Sequence, residues 1–319
     1  PDVEALAPMP VKLEETKSLW FEDNFAKLPE LRMTFPTVEA YHEDEQALDV
    51  LARLIAGTKT SPLYRGIVET EALAPDVSAY NNSMELAGEF VFRVRAKEGV
   101  DLDTVQAAIE DAFATFEEEG VNETDLQRIK AEQETILYNN LSTVLGKANQ
   151  MSSDNEFAGD PSYAITEAEL LRAVTAEDVM RVYETYIKDK PAVVTSFVPQ
   201  GEADLALEGA EKAEVWIEEV KADVAAEEVS QGEEAEYEKT PSQYDRSEPP
   251  FGDLPLIEMP EVWTAELANG ASLFGIENNE LPLVTFDLVF DAGSWMDPDG
   301  KVGTASLVAD MLNEGTATK

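Results

Sequence analysis

Few side chains in this sequence have the chemistry of a reaction centre. It contains one histidine, His42, and no cysteine. A metal site with two imidazole ligands, a thiolate site and a thiol nucleophile are therefore excluded. His42 lies in YHEDEQ, among Glu43, Asp44 and Glu45 at the entrance to a helix, and reads as a surface residue. Ser61 and Ser294 have no histidine partner for a nucleophilic triad. Asp297, Asp299 and Gly300 faintly outline a calcium loop, but no glutamate follows at the required spacing, so a turn is expected. In the last stretch, GTASLVADMLNEGT, Asp310 is able to ligate a metal and Ser306 only weakly. A hydrolytic zinc site needs about three protein ligands, an open position for water and a base within reach of it. Ser306, Ala309 and Asp310 do not make that set, so no metal and no catalytic residue is expected here.

The elements that would position any such groups are clearer. LRMTF, Leu31 to Phe35, reads as a strand stopped by Pro36. Leu48, Leu51, Ala52 and Ile55 recur at the spacing of one helix face, which Gly57 closes. SPLYRGIVET reads as a short helix with Pro62 in its first turn. Val77 to Met84 and Glu89 to Ala96 read as strands around Gly88, with Phe90, Phe92 and Val94 on one face. Asp101 to Phe116 is a strongly amphipathic helix. Asn122 and Asp125 open a longer one running towards Gly146. Thr175 and Asp178 suggest a capping box before a third helix, and Ala192 to Val198 is a closing strand. The order predicts an α+β fold, a mainly antiparallel sheet with helices on one face.

From Gly201 to about Pro260 the sequence turns acidic and then proline-rich, which predicts a linker with a fragment of acidic helix near Val215 to Val224. Beyond it, Asn269-Gly270 marks a hairpin, and Leu283 to Phe290 reads as a further strand before the final helix. The domains expected are an N-terminal extension at 1–28, a main domain at 29–200, the linker at 201–260 and the start of a second, similar domain at 261–319. Pro1 opens the sequence and no signal peptide is visible, so an internal piece of something longer is expected.

Composition narrows the partners. The 319 residues include 66 acidic and 23 basic side chains, a formal net charge of -43. Such a surface repels nucleic acid and anionic lipid, and no apolar run is long enough for a membrane span. Lack of cysteine suits an exported, periplasmic bacterial protein.

Two blocks resemble the pitrilysin/insulinase family of zinc metallopeptidases. ELRMTFPTVEAYHEDEQALDVLARLIAG, with SPLYRGIVETEALA, GKANQ, GDPSY and TAEDVMRVYETYI, is similar to the non-catalytic second domain of each half of these enzymes. ANGASLFGIENNELPLVTFDLVFDAGSWMDPDGKVGTASLVADMLNEGT is similar to the start of their first-type domain. In the family the second block carries H-x-x-E-H, two zinc ligands and a general base; Ser306 and Asp310 stand at the histidine positions and Ala309 at the glutamate. A pattern like R-x-x-x-x-L-A-Y supplies a substrate-holding Arg and Tyr; Val68 and Pro75 stand there instead.

The resemblance implies a middle segment of a zinc metalloendopeptidase, forming chamber wall and linker, with zinc bound elsewhere in the parent protein and none in this segment. Its implied partners are a peptide or protein substrate and the remaining domains of the same polypeptide. The alternative is a non-catalytic scaffold or peptide-binding subunit.

Overall fold

The computed structural model describes residues 6–215 and 259–312, together with 245, 247, 248, 250 and 252. The chain falls into two compact units, residues 1–277 and 278–319.

The first unit is built on a sheet of order β3-β4-β2-β5-β1-β6. Its strands are β1 (Lys17–Asp23), β2 (Glu30–Thr37), β3 (Val77–Ser83), β4 (Gly88–Arg95), β5 (Val193–Pro199) and β6 (Glu211–Lys212). The pairs β3–β4, β4–β2 and β2–β5 are antiparallel, whereas β1 runs parallel to β5 and β6. Alternation along β2 sets Leu31, Met33 and Phe35 against Val94, Phe92 and Phe90 of β4, all buried. Pro36 continues β2 rather than ending it. It lies beyond the residues that pair with β5, where its missing N–H removes no bond from that ladder.

Helices cover the apolar face. Among them are α1 (Glu45–Ala56), α2 (Leu102–Glu119), α3 (Glu123–Asn140), α4 (Val144–Ser153), α5 (Tyr163–Ala173) and α6 (Ala176–Tyr186). Leu48, Leu51 and Ile55 of α1, Val105, Ile109 and Phe116 of α2 and Val179, Val182 and Tyr183 of α6 are buried in one core with the sheet. Phe92 stands at its middle, edge-on to Phe35 at 5.9 Å and near Phe113 at 4.9 Å. Thr175 and Asp178 form the expected capping box of α6. A second tie joins α6 to the entrance of α1. The Tyr186 hydroxyl donates to Asp44 Oδ2 at 2.7 Å, and Arg181 lies 2.7 Å from Oδ1 as an ion pair. Burial would raise the Asp44 carboxyl, but these two partners outweigh it and hold it below the usual carboxylate range.

The structure departs from the sequence reading at several places. Residues 17–23, read as part of an extension, form β1, whose partner lies far along the chain. Residues 203–212, read as linker, belong to the same unit: Leu207 is buried and its N–H bonds Ser196 Oγ, and Ala213 N bonds Trp20 O. The helix expected to run to Gly146 breaks at Leu141, because the Thr143 side chain caps a new helix by accepting from Gly146 N. SPLYRGIVET contains a π-helix, Tyr64–Thr70. The acidic helix expected near Val215 to Val224 lies outside the described residues, apart from Val215 itself. The hairpin forms as β7 (Val262–Glu266) and β8 (Ser272–Ile276), with Gly270 at φ 86° in its turn. In the second unit Leu283 to Phe290 is not a strand; it finds no partner to take its backbone groups among the described residues, and Val284 to Phe290 are exposed. The unit's described helix is α7 (Thr304–Met311).

Gly88 is the tightest point of the sheet. A Cβ there would lie 2.1 Å from Val38 O and 2.8 Å from Thr37 Oγ1. The Gly88→Ala variant is expected to lose about 1–3 kcal/mol of stability, read as a lower urea midpoint at unchanged slope.

Candidate functional site

The residues singled out from the sequence divide between the two units. Val68 sits half-buried in the π-helix, packed against the core, and Pro75 is exposed. The backbone around them is highly determined. Glu71 N bonds Gly66 O and Leu73 N bonds Ile67 O, while Ala72 takes a left-handed φ of 54°. The Lys97 ammonium holds Ala72 O at 2.6 Å. Such a π-turn is a shape often kept for function, yet Val68 and Pro75 present no side-chain donor.

Ser61 is buried and committed to structure. Its Oγ accepts from Thr58 N at 3.1 Å and donates to Arg53 O at 3.3 Å. His42 Nδ1 accepts from Asp44 N at 3.0 Å, shaping the entrance to α1. In the second unit Ser306, Ala309 and Asp310 are exposed positions of α7. Asp297 caps that helix, its carboxylate accepting from Gly303 N at 2.7 Å and Ala305 N at 2.9 Å. Asp297 therefore serves the turn rather than a cation.

Zinc does not fit these positions. One hydroxyl, one methyl and one carboxylate cannot supply three ligands and a base. Among the described residues no three His, Asp or Glu side chains stand close enough to share a metal.

The structure does gather a group that sequence spacing conceals. Glu45 and Asp49 are one turn apart on α1, Glu167 is on α5, and Asp154 opens the short π-helix Asp154–Ala158. Asp154 is fully buried and satisfied by the Tyr41 hydroxyl at 3.2 Å, Gln150 Nε2 at 3.0 Å and Ala164 N at 3.2 Å. Tyr41, at a left-handed φ of 65°, stacks edge-on to Tyr163 and donates its N–H to Glu45 Oε2 at 2.6 Å. Asp49 Oδ1 accepts from Asn81 Nδ2 at 3.1 Å. Asp49 and Glu167 line a groove of about 480 Å³ whose walls include Tyr80, Asn81 and Ile136.

Burial sets the chemistry of this group. It pushes Asp49 up to about 6, against the bond from Asn81. It pushes Glu45 up to about 7, with Asp49 and Glu167 adding repulsion, and it raises Glu167 also. The cluster thus keeps protons to higher pH than free carboxylates do, and a cationic group beside it would favour their loss. Periodicity gave no sign of it, since Asp154 and Glu167 reach Glu45 and Asp49 only through the fold; a polar residue on the inner side of α1, Asp49, is the one available signal.

Residues 6–133 match the Peptidase M16 inactive domain. The zinc protease PqqE of Helicobacter pylori is 24% identical over 161 residues, which make up 50% of this chain and 35% of that protein. The chain thus spans about a third of the length of that curated relative. A protease structure from Helicobacter pylori shares the fold with TM-score 0.52 at 19% identity, over 62% of this chain and 49% of that one. A peptidase M16 inactive domain from Pseudomonas fluorescens does so with TM-score 0.51 at 15% identity, over 62% and 46%.

Asp49 and Glu45 make stability pH-dependent in a stated direction. Their ordinary values are 3.8 and 4.5, and the folded values are about 6 and about 7. The folded chain keeps both protons longer than the unfolded chain does. Their contribution is therefore complete below the ordinary values and lost as pH rises through about 6 and 7. D49N keeps an acceptor for Asn81 and removes the proton. It is expected to exceed the parent by about 1–2 kcal/mol at pH near 8 and to match it near pH 4, as read by urea unfolding at each pH.

Fold and family match point the same way, and over residues 6–133 the chain is similar to the Peptidase M16 inactive domain.

Proposed function

We propose that this chain serves a zinc-dependent metalloendopeptidase as non-catalytic wall, its α+β domain helping to enclose a peptide or protein substrate. Residues beyond Ala213, whose N–H still bonds Trp20 O, would connect it towards a second domain of the first type that includes the unit at 278–319. Zinc, its ligands and the general base would come from elsewhere in the parent protein. When bound there, zinc would activate the attacking water; the residues of this chain would confine the substrate and exclude bulk water.

The observation that carries the reading is a retained frame without its reacting groups. The π-helix and the left-handed Ala72 shape the backbone around Val68 and Pro75, which stand where the sequence resemblance would put an Arg and a Tyr. Ser306, Ala309 and Asp310, which the same resemblance would align with zinc ligands and base, lie on the helix Thr304–Met311. The acidic groove of Asp49 and Glu167 supports contact with basic side chains of a bound peptide. An exported bacterial location fits the absence of cysteine; no helix among the described residues is long and apolar enough to cross a membrane.

The test is zinc content and peptide hydrolysis, measured side by side on these 319 residues and on the full parent protein. The parent is expected to hold stoichiometric zinc and to cut peptides, and the shorter chain to do neither. Stoichiometric zinc or cleavage in the shorter chain would overturn the assignment of Ser306, Ala309 and Asp310 as inert. A parent that neither holds zinc nor cuts would replace this reading with a peptide-binding scaffold.

A further inference from the structure

The sheet face turned away from the helices carries charges that the fold does not need. Arg32 of β2 stands directly opposite Arg93 of β4 and, on its other side, opposite Thr195 of β5. Like charges opposed across two strands are destabilising. The nearby carboxylate, Glu30, is already engaged. It accepts from Arg93 Nε and Nη2 at 2.8 Å each, and from Arg95 Nε and Nη2 at 3.2 and 3.1 Å. Burial would raise Glu30, but these bonds prevail and hold it below the usual carboxylate range.

Arg32 is left with no carboxylate partner among the described residues. Its Nε is buried without a hydrogen bond, and so is Oγ1 of Thr195, its cross-strand neighbour. An unmade bond at a buried polar atom is costly. Native structures seldom keep such atoms without a reason.

Arg32 borders a groove of about 470 Å³. Four cations, Lys27, Arg32, Arg93 and Arg95, meet only Asp23 and Glu30 there. That reverses the balance of a chain with 66 acidic and 23 basic residues. The groove also has apolar walls, Leu28, Phe197 and Phe25, the last 89% exposed.

We propose that this groove docks an acidic polypeptide segment, with an Asp or Glu carboxylate seated on the Arg32 guanidinium. A carboxylate can accept two parallel bonds from a guanidinium, which would use the unpaired Nε. An apolar residue beside the carboxylate would cover Phe25 and Phe197, which a free inorganic anion would leave in water. The inference stands apart from the peptidase reading, since it rests on charge and unmade bonds alone.

The test uses the whole chain and a fluorescent peptide alternating Glu and Leu, with a Gln and Leu peptide as control, in about 0.15 M salt. Anisotropy should show the Glu peptide binding and the Gln peptide at least about tenfold weaker, and R32Q should lose about tenfold for the Glu peptide. R32K should fall between, keeping the charge and losing the paired donors. The urea midpoint of R32Q should equal or exceed the parent's, because one of two opposed cations is gone; a purely structural arginine would lower it. Equal affinity of R32Q and parent, or of the two peptides, overturns the proposal. Phosphate that displaces the peptide and binds as tightly by itself would make the groove a simple anion site. Arg32-dependent self-association in sedimentation would assign the face to a second copy. Either result overturns the polypeptide commitment.

Discussion

The first unit depends on one apolar surface, the inner face shared by β2 and β4. Leu31, Met33 and Phe35 lie in register with Val94, Phe92 and Phe90, and water must be excluded from that whole face at once. The helices answer this need with aliphatic stripes from α1, α2 and α6. Burial at about 25 cal/mol per Å² makes such a face the dominant favourable contribution. It also leaves the opposite face free of the packing demand, and there the charged residues of β2 and β4 are placed. The polar pins are secondary but specific. Asp44, Tyr186 and Arg181 fix how α6 meets α1, and Glu117, bonded by Tyr183 and Lys188, fixes the end of α2 against α6.

Much of this architecture is legible in the sequence because it is local. Alternation marks β2 and β4, a helical stripe marks α1, and Thr175 with Asp178 marks the start of α6. What escaped is non-local. KSLWFED becomes β1 only because β5 arrives beside it, and two residues at Glu211–Lys212 are a strand only because β1 is there. Leu283 to Phe290 is the converse: its composition suits a strand, and no partner pairs with it among the described residues. Intrinsic preference proposes a strand and a neighbouring ladder decides it.

The chemistry divides in the same way. The degenerate positions Val68, Pro75, Ser306, Ala309 and Asp310 could be named from motif frames, because a frame is a linear pattern. The Asp49, Glu45, Glu167 group could not, since α1 and α5 meet only in the fold and its members acquire their raised proton affinity from burial. The sheet then separates two unlike surfaces. One groove gathers carboxylates that hold protons, and the other gathers guanidinium groups in an acidic chain.

The parallel pairing of β1 with β5 has a consequence for how the domain is made. The Thr16 side chain and the Ala192 N–H that it bonds are 176 residues apart. During synthesis β1 precedes the other described strands, yet its ladder partner β5 is translated only after α1 to α6. Loop closure over that distance makes such contacts late and slow. Until β5 appears, Leu19, Trp20 and Phe21 have no ladder to join, and β2 presents an open edge on that side. The first strand to be made is thus the one that waits longest, and the nascent chain is most exposed to wrong partners over that interval.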